Sequence, residues 1–117
     1  MLHDKDCEFT LKVIANNPKN IERLVKILDN NDTEYFVPGA YDVRIADYPR
    51  EKHFGEHTGY ITGHTEYTTT QLVKNPTSRT TETDLRKVCA ELNIAIECWA
   101  DSMEAEFQEH FAINNLG

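Results

Sequence analysis

The residues with the clearest chemical potential lie near the C-terminus, on two segments that alternate polar and apolar positions. They are Glu97, Trp99 and Asp101 on the first segment, and Gln108 and His110 on the second. Carboxylates beside a histidine and an aromatic ring can form a general acid–base site when burial shifts their pKa values. The same side chains can instead form a protein-binding surface, because tryptophan is enriched at interface hot spots and carboxylates attract a basic partner. Since no motif indicates a pocket, we favour the binding surface and keep an acid–base enzyme as the alternative.

A metal site is the second chemical hypothesis. Five residues of the types that bind zinc fall within fourteen positions: His53, Glu56, His57, His64 and Glu66. His53 and His57 would meet only on a helix, and Gly55 and Gly59 disfavour a helix there. We therefore predict no metal site and no cofactor.

The cysteines give no catalytic or redox motif. Cys7, Cys89 and Cys98 are widely spaced, and no two of them form a C-x-x-C pair. Each has apolar neighbours, so we predict small buried side chains, and a thiol nucleophile paired with His110 is the weaker interpretation. The glycine-rich patterns that bind phosphates or dinucleotides are absent from the sequence.

Two strand-then-helix units position these residues. The predicted elements are strand Cys7–Ala15, helix Asn17–Asp29, strand Tyr60–Thr68, helix Thr81–Asn93, and the closing strands Ile94–Asp101 and Glu106–Asn114. Their order predicts an α+β fold, a ferredoxin-like split β-α-β sandwich with an antiparallel sheet of four to five strands and two helices on one face. Residues 1–117 are short enough for a single domain.

The middle of the chain carries weaker signals. Tyr41, Val43 and Ile45 alternate with polar residues after the turn signal Pro38-Gly39, which predicts a strand. The stretch Tyr48–Gly59 holds a proline, glycines and many charges, and it is typical of an exposed loop. Residues 74–80 and Ser102–Ala105 are predicted to be connections.

The charge is strongly acidic and unevenly spread. The net charge is −8, and residues 82–117 hold 8 acidic residues against only Arg86 and Lys87. Such a surface repels phosphates, so direct binding of DNA or RNA is disfavoured and a basic protein partner is favoured. An RNA-recognition surface is also disfavoured, because the first strand offers Glu8, Thr10 and Lys12 where aromatic residues would be needed. No apolar run is long enough for a membrane span and the N-terminus has no secretion signal, so we expect a cytoplasmic protein.

The C-terminal third resembles a known family. Leu85–Leu92 as a helix, Ile94–Trp99 as a strand ending in an aromatic residue, the run Glu106–Phe111, and Gly117 after the last strand resemble the closing half of the YubB-type ferredoxin-like domains. That family occurs in proteins of plasmids, phages and other mobile elements. The resemblance implies the fold and a phage or mobile-element origin, and it implies no activity.

These observations predict a small acidic, non-enzymatic protein-binding module. Its binding surface would be the outward side of the closing hairpin, where Trp99 points away from Cys98 and Ala100. A sharper hypothesis is an inhibitor that presents carboxylates where a nucleic-acid-binding host protein expects phosphates. The sequence also leaves a homodimer open, because an exposed edge strand can pair two copies.

Overall fold

The part of the chain that the structure describes forms one five-stranded antiparallel sheet with two helices. The structure is a computed structural model that describes residues 6–35, 37, 39–66, 85–102 and 107–116. Its elements are β1 (Asp6–Ala15), α1 (Pro18–Leu28), β2 (Ala40–His53), β3 (Glu56–Glu66), α2 (Leu85–Leu92), β4 (Ile94–Ser102) and β5 (Phe107–Asn114). The strand order is β2-β3-β1-β4-β5, and each neighbouring pair is antiparallel. The predicted α+β class and the strand count are confirmed.

β1 forms the centre of the sheet because its apolar residues recur at every second position. Cys7, Phe9, Leu11, Val13 and Ala15 are all fully buried. A period of two places these side chains on one side of the sheet, and Glu8, Thr10, Lys12 and Ile14 on the other. Burying a side chain the size of Phe or Leu stabilises the fold by roughly 1.5–3 kcal/mol. This strand therefore decides which side of the sheet the helices cover.

α1 begins where the sequence predicts. The side chain of Asn17 accepts a hydrogen bond from the backbone N–H of Lys19 at 3.0 Å, and Pro18 occupies the first helical turn. The fully buried residues of α1 are Ile21, Leu24, Ile27 and Leu28. Val25 also follows the helical spacing of apolar residues in the sequence, but it is only half-buried at the margin of the core.

Both helices contribute to the same core. α2 buries Leu85, Val88, Cys89 and Leu92, which belong to one cluster with the buried residues of α1 and β1. The side chain of Asn20 in α1 donates a hydrogen bond to the carbonyl of Leu92 at the end of α2, at 3.0 Å. The helices therefore lie side by side on one face of the sheet.

The predicted exposed loop over Tyr48–Gly59 is wrong. β2 extends to His53, and β3 begins at Glu56, so the segment is most of a hairpin with a two-residue turn at Phe54 and Gly55. Both turn residues have positive φ, 34° and 85°, as a type I′ turn requires. Pro49 is tolerated because β2 lies at the edge of the sheet and its pairing with β3 is interrupted by irregularities.

Several predictions on the second half of the chain are confirmed, while others lie outside the described residues. β4 and β5 pair side by side as predicted, and the three cysteines are buried and form no disulfide. The helix start at residues 81–84, the connection at residues 74–80 and the link at residues 103–105 fall outside the part of the chain that the structure describes. No helix in the described part is long and apolar enough to cross a membrane.

Candidate functional site

The sheet side opposite the helices, which we call the open face, carries Trp99. In the antiparallel register Trp99 lies opposite Thr10 on β1 and opposite His110 on β5. Directly opposed residues of antiparallel strands share a face, so these three side chains form one row across the sheet. The neighbours Cys98 and Ala100 are buried on the helix side. The structure therefore places Trp99 where the alternation in the sequence predicts it.

Four side chains form what we call the Trp99 cluster: Glu97, Trp99, Asp101 and His110. Nε2 of His110 lies 2.8 Å from Oε2 of Glu97, within hydrogen-bond distance. The rings of Trp99 and His110 are tilted by 48°, with their centroids 5.5 Å apart. This separation is typical of favourable aromatic pairs. The imidazole thus contacts both the carboxylate and the indole, and it holds them in a defined arrangement.

The Trp99 cluster is open to solvent. The indole of Trp99 is 44% exposed, and the side chains of His110 and Glu97 are 52% and 39% exposed. Asp101 is also exposed, one row further along β4, and Gln108 occupies the register position opposite it. The five predicted site residues therefore fall on adjacent rows of the closing hairpin. Their side of the sheet is a surface on which a large partner can lie.

The other strands extend the open face with mixed charge. Lys12 lies opposite Glu97, in the row next to Trp99. Arg44 on β2 is exposed and pairs with Thr62, which in turn lies opposite Thr10. The open face therefore carries charges of both signs: on β1 alone, Glu8 lies opposite Asp101 and Lys12 lies opposite Glu97.

A second histidine on the open face has similar surroundings. The ring of His64 stacks on Tyr41 with centroids 5.7 Å apart and an angle of 23°. Its Nε2 lies 3.9 Å from a carboxylate oxygen of Glu8. Sequence analysis missed this group because its members come from β1, β2 and β3, and only the strand register brings them together.

Asp32, whose carboxyl pKa is lowered, belongs to a hydrogen-bond network outside the open face. Hydrogen bonding to Arg23 lowers the pKa of Asp32 to about 2, helped by backbone N–H groups of Tyr35 and Glu34, while burial opposes the shift. The same pairing raises the pKa of Arg23. Arg23 also lies over the ring of Tyr35, 5.0 Å from its centroid. This network fixes the chain after α1, beside a shallow depression that includes Lys19, and its carboxylate is fully engaged by the protein.

The described residues hold no group of three or more histidine, cysteine or acidic side chains placed to bind a metal. His57 and His64 are seven positions apart on β3, so their side chains point to opposite sides of the sheet. Cys98 and His110 are likewise separated, because the thiol is buried on the helix side and the imidazole lies on the open face. The structure therefore does not bring a thiol nucleophile together with His110.

No protein-family model, curated protein or solved structure matches the chain. The open face is the feature of the structure that indicates a function. It offers a half-exposed indole, carboxylates on either side of it, and an imidazole that orients one of them.

Proposed function

We propose that this protein is a small non-enzymatic module that binds a basic protein on its open face, with the Trp99 cluster at the centre of the contact. The half-exposed indole of Trp99 on the uncovered side of the sheet carries the proposal. Large aromatic side chains of this kind anchor protein interfaces when a partner removes them from water. The described helices cover only the other side of the sheet, so the indole needs no rearrangement of the fold to reach a partner.

The chemistry around the indole favours a cationic side chain on the partner. A guanidinium stacked on the face of Trp99 would gain a cation–π contact of roughly 0.5–2 kcal/mol. Glu97 and Asp101 flank the indole along β4 and would pair with the same cation or with a neighbouring one. Because His110 already contacts Glu97 at 2.8 Å, less side-chain freedom is lost when this carboxylate binds.

The sharper form of the proposal is inhibition of a nucleic-acid-binding host protein by charge mimicry. The 8 acidic residues among residues 82–117 support it, since carboxylates can occupy the positions of phosphates on a basic surface. Glu8 on β1 lies opposite Asp101 and extends the acidic part of the open face, whereas Lys12 and Arg44 add positive charge elsewhere on it. The inhibitor would therefore cover a basic patch with the acidic part, and the remainder of the face would make mixed contacts.

We also propose that the topology is ferredoxin-like with β5 added at one edge, and that the chain originates from a phage or other mobile element. The element order β1-α1-β2-β3-α2-β4 and the arrangement of β4, β1, β3 and β2 as successive neighbours support the topology. The resemblance of the C-terminal third to YubB-type domains supports the origin. The proposed topology and the proposed origin are independent of the binding proposal, which depends on the open face alone.

Comparative capture tests the binding proposal. Three baits are exposed to an extract of the native host: the wild-type protein, Trp99→Ala and Phe54→Ala. Proteins that bind to the wild type and to Phe54→Ala, but not to Trp99→Ala, are then purified. Phe54 is a matched control because its ring is fully exposed at the β2–β3 turn, on the opposite edge strand. With a purified partner, Trp99→Ala should weaken binding by about 30-fold, the loss typical of a hot spot of ~2 kcal/mol.

Salt dependence tests the basic character of the partner. Binding that depends on Glu97 and Asp101 should weaken as salt is added, and Glu97→Gln combined with Asp101→Asn should flatten that dependence. Equal binding by Trp99→Ala and the wild type, with circular dichroism unchanged, would contradict the proposal.

The alternative function is an acid–base enzyme, and the 2.8 Å contact between His110 and Glu97 favours it. The exposure of both side chains favours the binding module, because catalysis of this kind needs a site that excludes water. The double substitution separates the two functions. An enzyme would lose turnover when Glu97 becomes Gln, whereas the binding module loses affinity and salt dependence.

A further inference from the structure

β5 ends the sheet with backbone groups that have no strand neighbour in the described part of the chain. The backbone N–H of Asn115, just past the strand, donates to the carbonyl of Ile94 at 3.2 Å, so this residue directs its backbone toward β4. Successive residues of an antiparallel strand direct their backbone groups to alternate sides. His110, Ala112 and Asn114 therefore direct their N–H and C=O groups to the free edge.

The two edges of the sheet differ in how well they resist pairing. β2 carries Pro49 and pairs irregularly with β3, and such features block the addition of another strand. β5 pairs with β4 without interruption, from Phe107 opposite Ser102 to Asn114 opposite Ala95. The sequence of β5 contains no proline, lysine or arginine. Only the β5 edge therefore offers a regular template for a further strand.

Apolar side chains at this edge are incompletely covered. Phe111 and Ile113 lie on the helix side of β5 and pack against the margin of the core, where they are half-buried. A strand added beside β5 would remove the remaining apolar surface of both side chains from water.

We propose that two copies of this chain pair antiparallel through β5, about a two-fold axis at Ala112, and form one continuous sheet. In this register Phe111 lies opposite Ile113 of the second copy, and His110 lies opposite Asn114 of the second copy. The backbone groups that face the free edge then pair with one another. Registers centred on Phe111 or on His110 place an apolar side chain opposite the position of Glu109. The register centred on Ala112 is therefore the one in which apolar residues meet apolar residues on the helix side.

The dimer goes beyond the proposed function and does not depend on it. A strand added at the edge leaves both faces of the sheet uncovered, so the Trp99 cluster, including His110 on β5, stays accessible on the open face of the dimer. The open faces of the two copies would join into one surface that carries two Trp99 clusters. A partner with two basic patches would then bind with an effective concentration that a single copy cannot provide.

Sedimentation equilibrium of the full chain tests the dimer. The wild type should show a concentration-dependent dimer, and Ala112→Lys should sediment as a monomer, because two lysines would then face each other at the axis. Ala112 is exposed in the single copy, so the substitution should leave the circular dichroism spectrum unchanged. Ala46→Lys is the matched control, since it adds the same charge at an exposed position of the opposite edge strand and should remain dimeric.

Crosslinking tests the register. Ala112→Cys treated with a short bismaleimide should yield a covalent dimer, and Ala46→Cys should not, while the natural cysteines are buried and should react little. A wild type that is monomeric at every concentration would overturn the proposal. So would a dimer that survives Ala112→Lys, or one that crosslinks at residue 46 and not at residue 112. None of these readouts involves a binding partner, so the dimer can fail while the proposed function stands.

Discussion

Asp32 shows how one residue holds a segment that lacks regular structure. Its carboxylate accepts hydrogen bonds from the guanidinium of Arg23 and from the backbone N–H groups of Glu34 and Tyr35. Its side chain is only 8% exposed, so these partners replace most of the water that the charge would otherwise hold. A buried carboxylate is stable only with such compensation. The Arg23–Asp32 network therefore helps to fix the segment after α1, which also packs Tyr35 and Val37 against the hydrophobic core.

We predict that Asp32→Asn lowers the free energy of unfolding by about 1–3 kcal/mol at neutral pH, because charge-assisted hydrogen bonds are replaced by weaker ones. The pKa of Asp32 falls from an ordinary 3.8 to about 2 on folding, so its stabilisation is fully present above 3.8. That stabilisation is lost as the pH falls through the interval down to about 2. Urea unfolding at several pH values measures both effects. The wild type should lose its stability advantage over Asp32→Asn across this interval, while Asp101→Asn, at an exposed position of β4, should resemble the wild type throughout.

The sequence predicts which side of the sheet a side chain points to, but it does not predict which side chains meet across neighbouring strands. The alternation around Trp99 predicts that its indole points away from Cys98, and the structure has it so. The contact between His110 and Glu97 could not be derived, because these residues lie thirteen positions apart and meet only through the register of β4 and β5. A one-residue shift of that register would move His110 to the other side of the sheet.

The β2–β3 hairpin shows why an edge element is hard to predict. Its β2 side is exposed at most positions, with a burial pattern that breaks the alternation after Val43 and Ile45. Irregular pairing adds residues to one strand, so the period of two is lost in the sequence even though the backbone stays extended. The charges and the proline of this stretch, which are typical of a loop, are also typical of a protected edge. Amino-acid composition alone therefore does not distinguish a loop from a protected edge strand.

The turn of this hairpin leads to a stabilising substitution. Phe54 has φ of 34° and precedes Gly55 at 85°, a backbone in which a bulky residue is strained and asparagine is favoured. Phe54→Asn should therefore raise the free energy of unfolding by about 0.5–1 kcal/mol, part of the cost of a left-handed conformation. Thermal and urea unfolding measure the change. Phe54→Ala removes the same exposed ring without favouring the turn, so an equal gain from alanine would show that the turn is not the cause.

The two sides of the sheet have different roles in the molecule as a whole. One side holds the core shared by the two helices, and the other carries the Trp99 cluster together with the basic residues Lys12 and Arg44. The sequence predicts an acidic C-terminal third, but it does not show that β1 and β2 bring positive charge onto the same surface. Strand order decides this, and strand order follows from long-range pairing that has no local signature. A partner must therefore match a surface that carries both acidic and basic side chains.

The contact between the two helices joins the first and second halves of the chain. The amide of Asn20 in α1 donates to the carbonyl of Leu92, one of the last carbonyls of α2, which has no partner within its own helix. Asn93 follows in the left-handed conformation with φ of 52°, so α2 ends at this point. The carbonyl of Leu92 gains this hydrogen bond only when α1 is in place. The hydrogen bond therefore couples the folding of the two halves.

Asn20→Asp should therefore lower the free energy of unfolding by about 1–3 kcal/mol at neutral pH, although the side chain keeps its shape. The donor is replaced by a carboxylate that faces a carbonyl oxygen and the negative end of the α2 dipole. The loss should shrink as the aspartate becomes protonated at low pH, because the neutral acid can donate again. Urea unfolding at neutral and acidic pH measures both changes, with Glu22→Gln on the exposed side of α1 as the control. A loss no larger than that of the control would show that this hydrogen bond does not contribute to holding the two helices together.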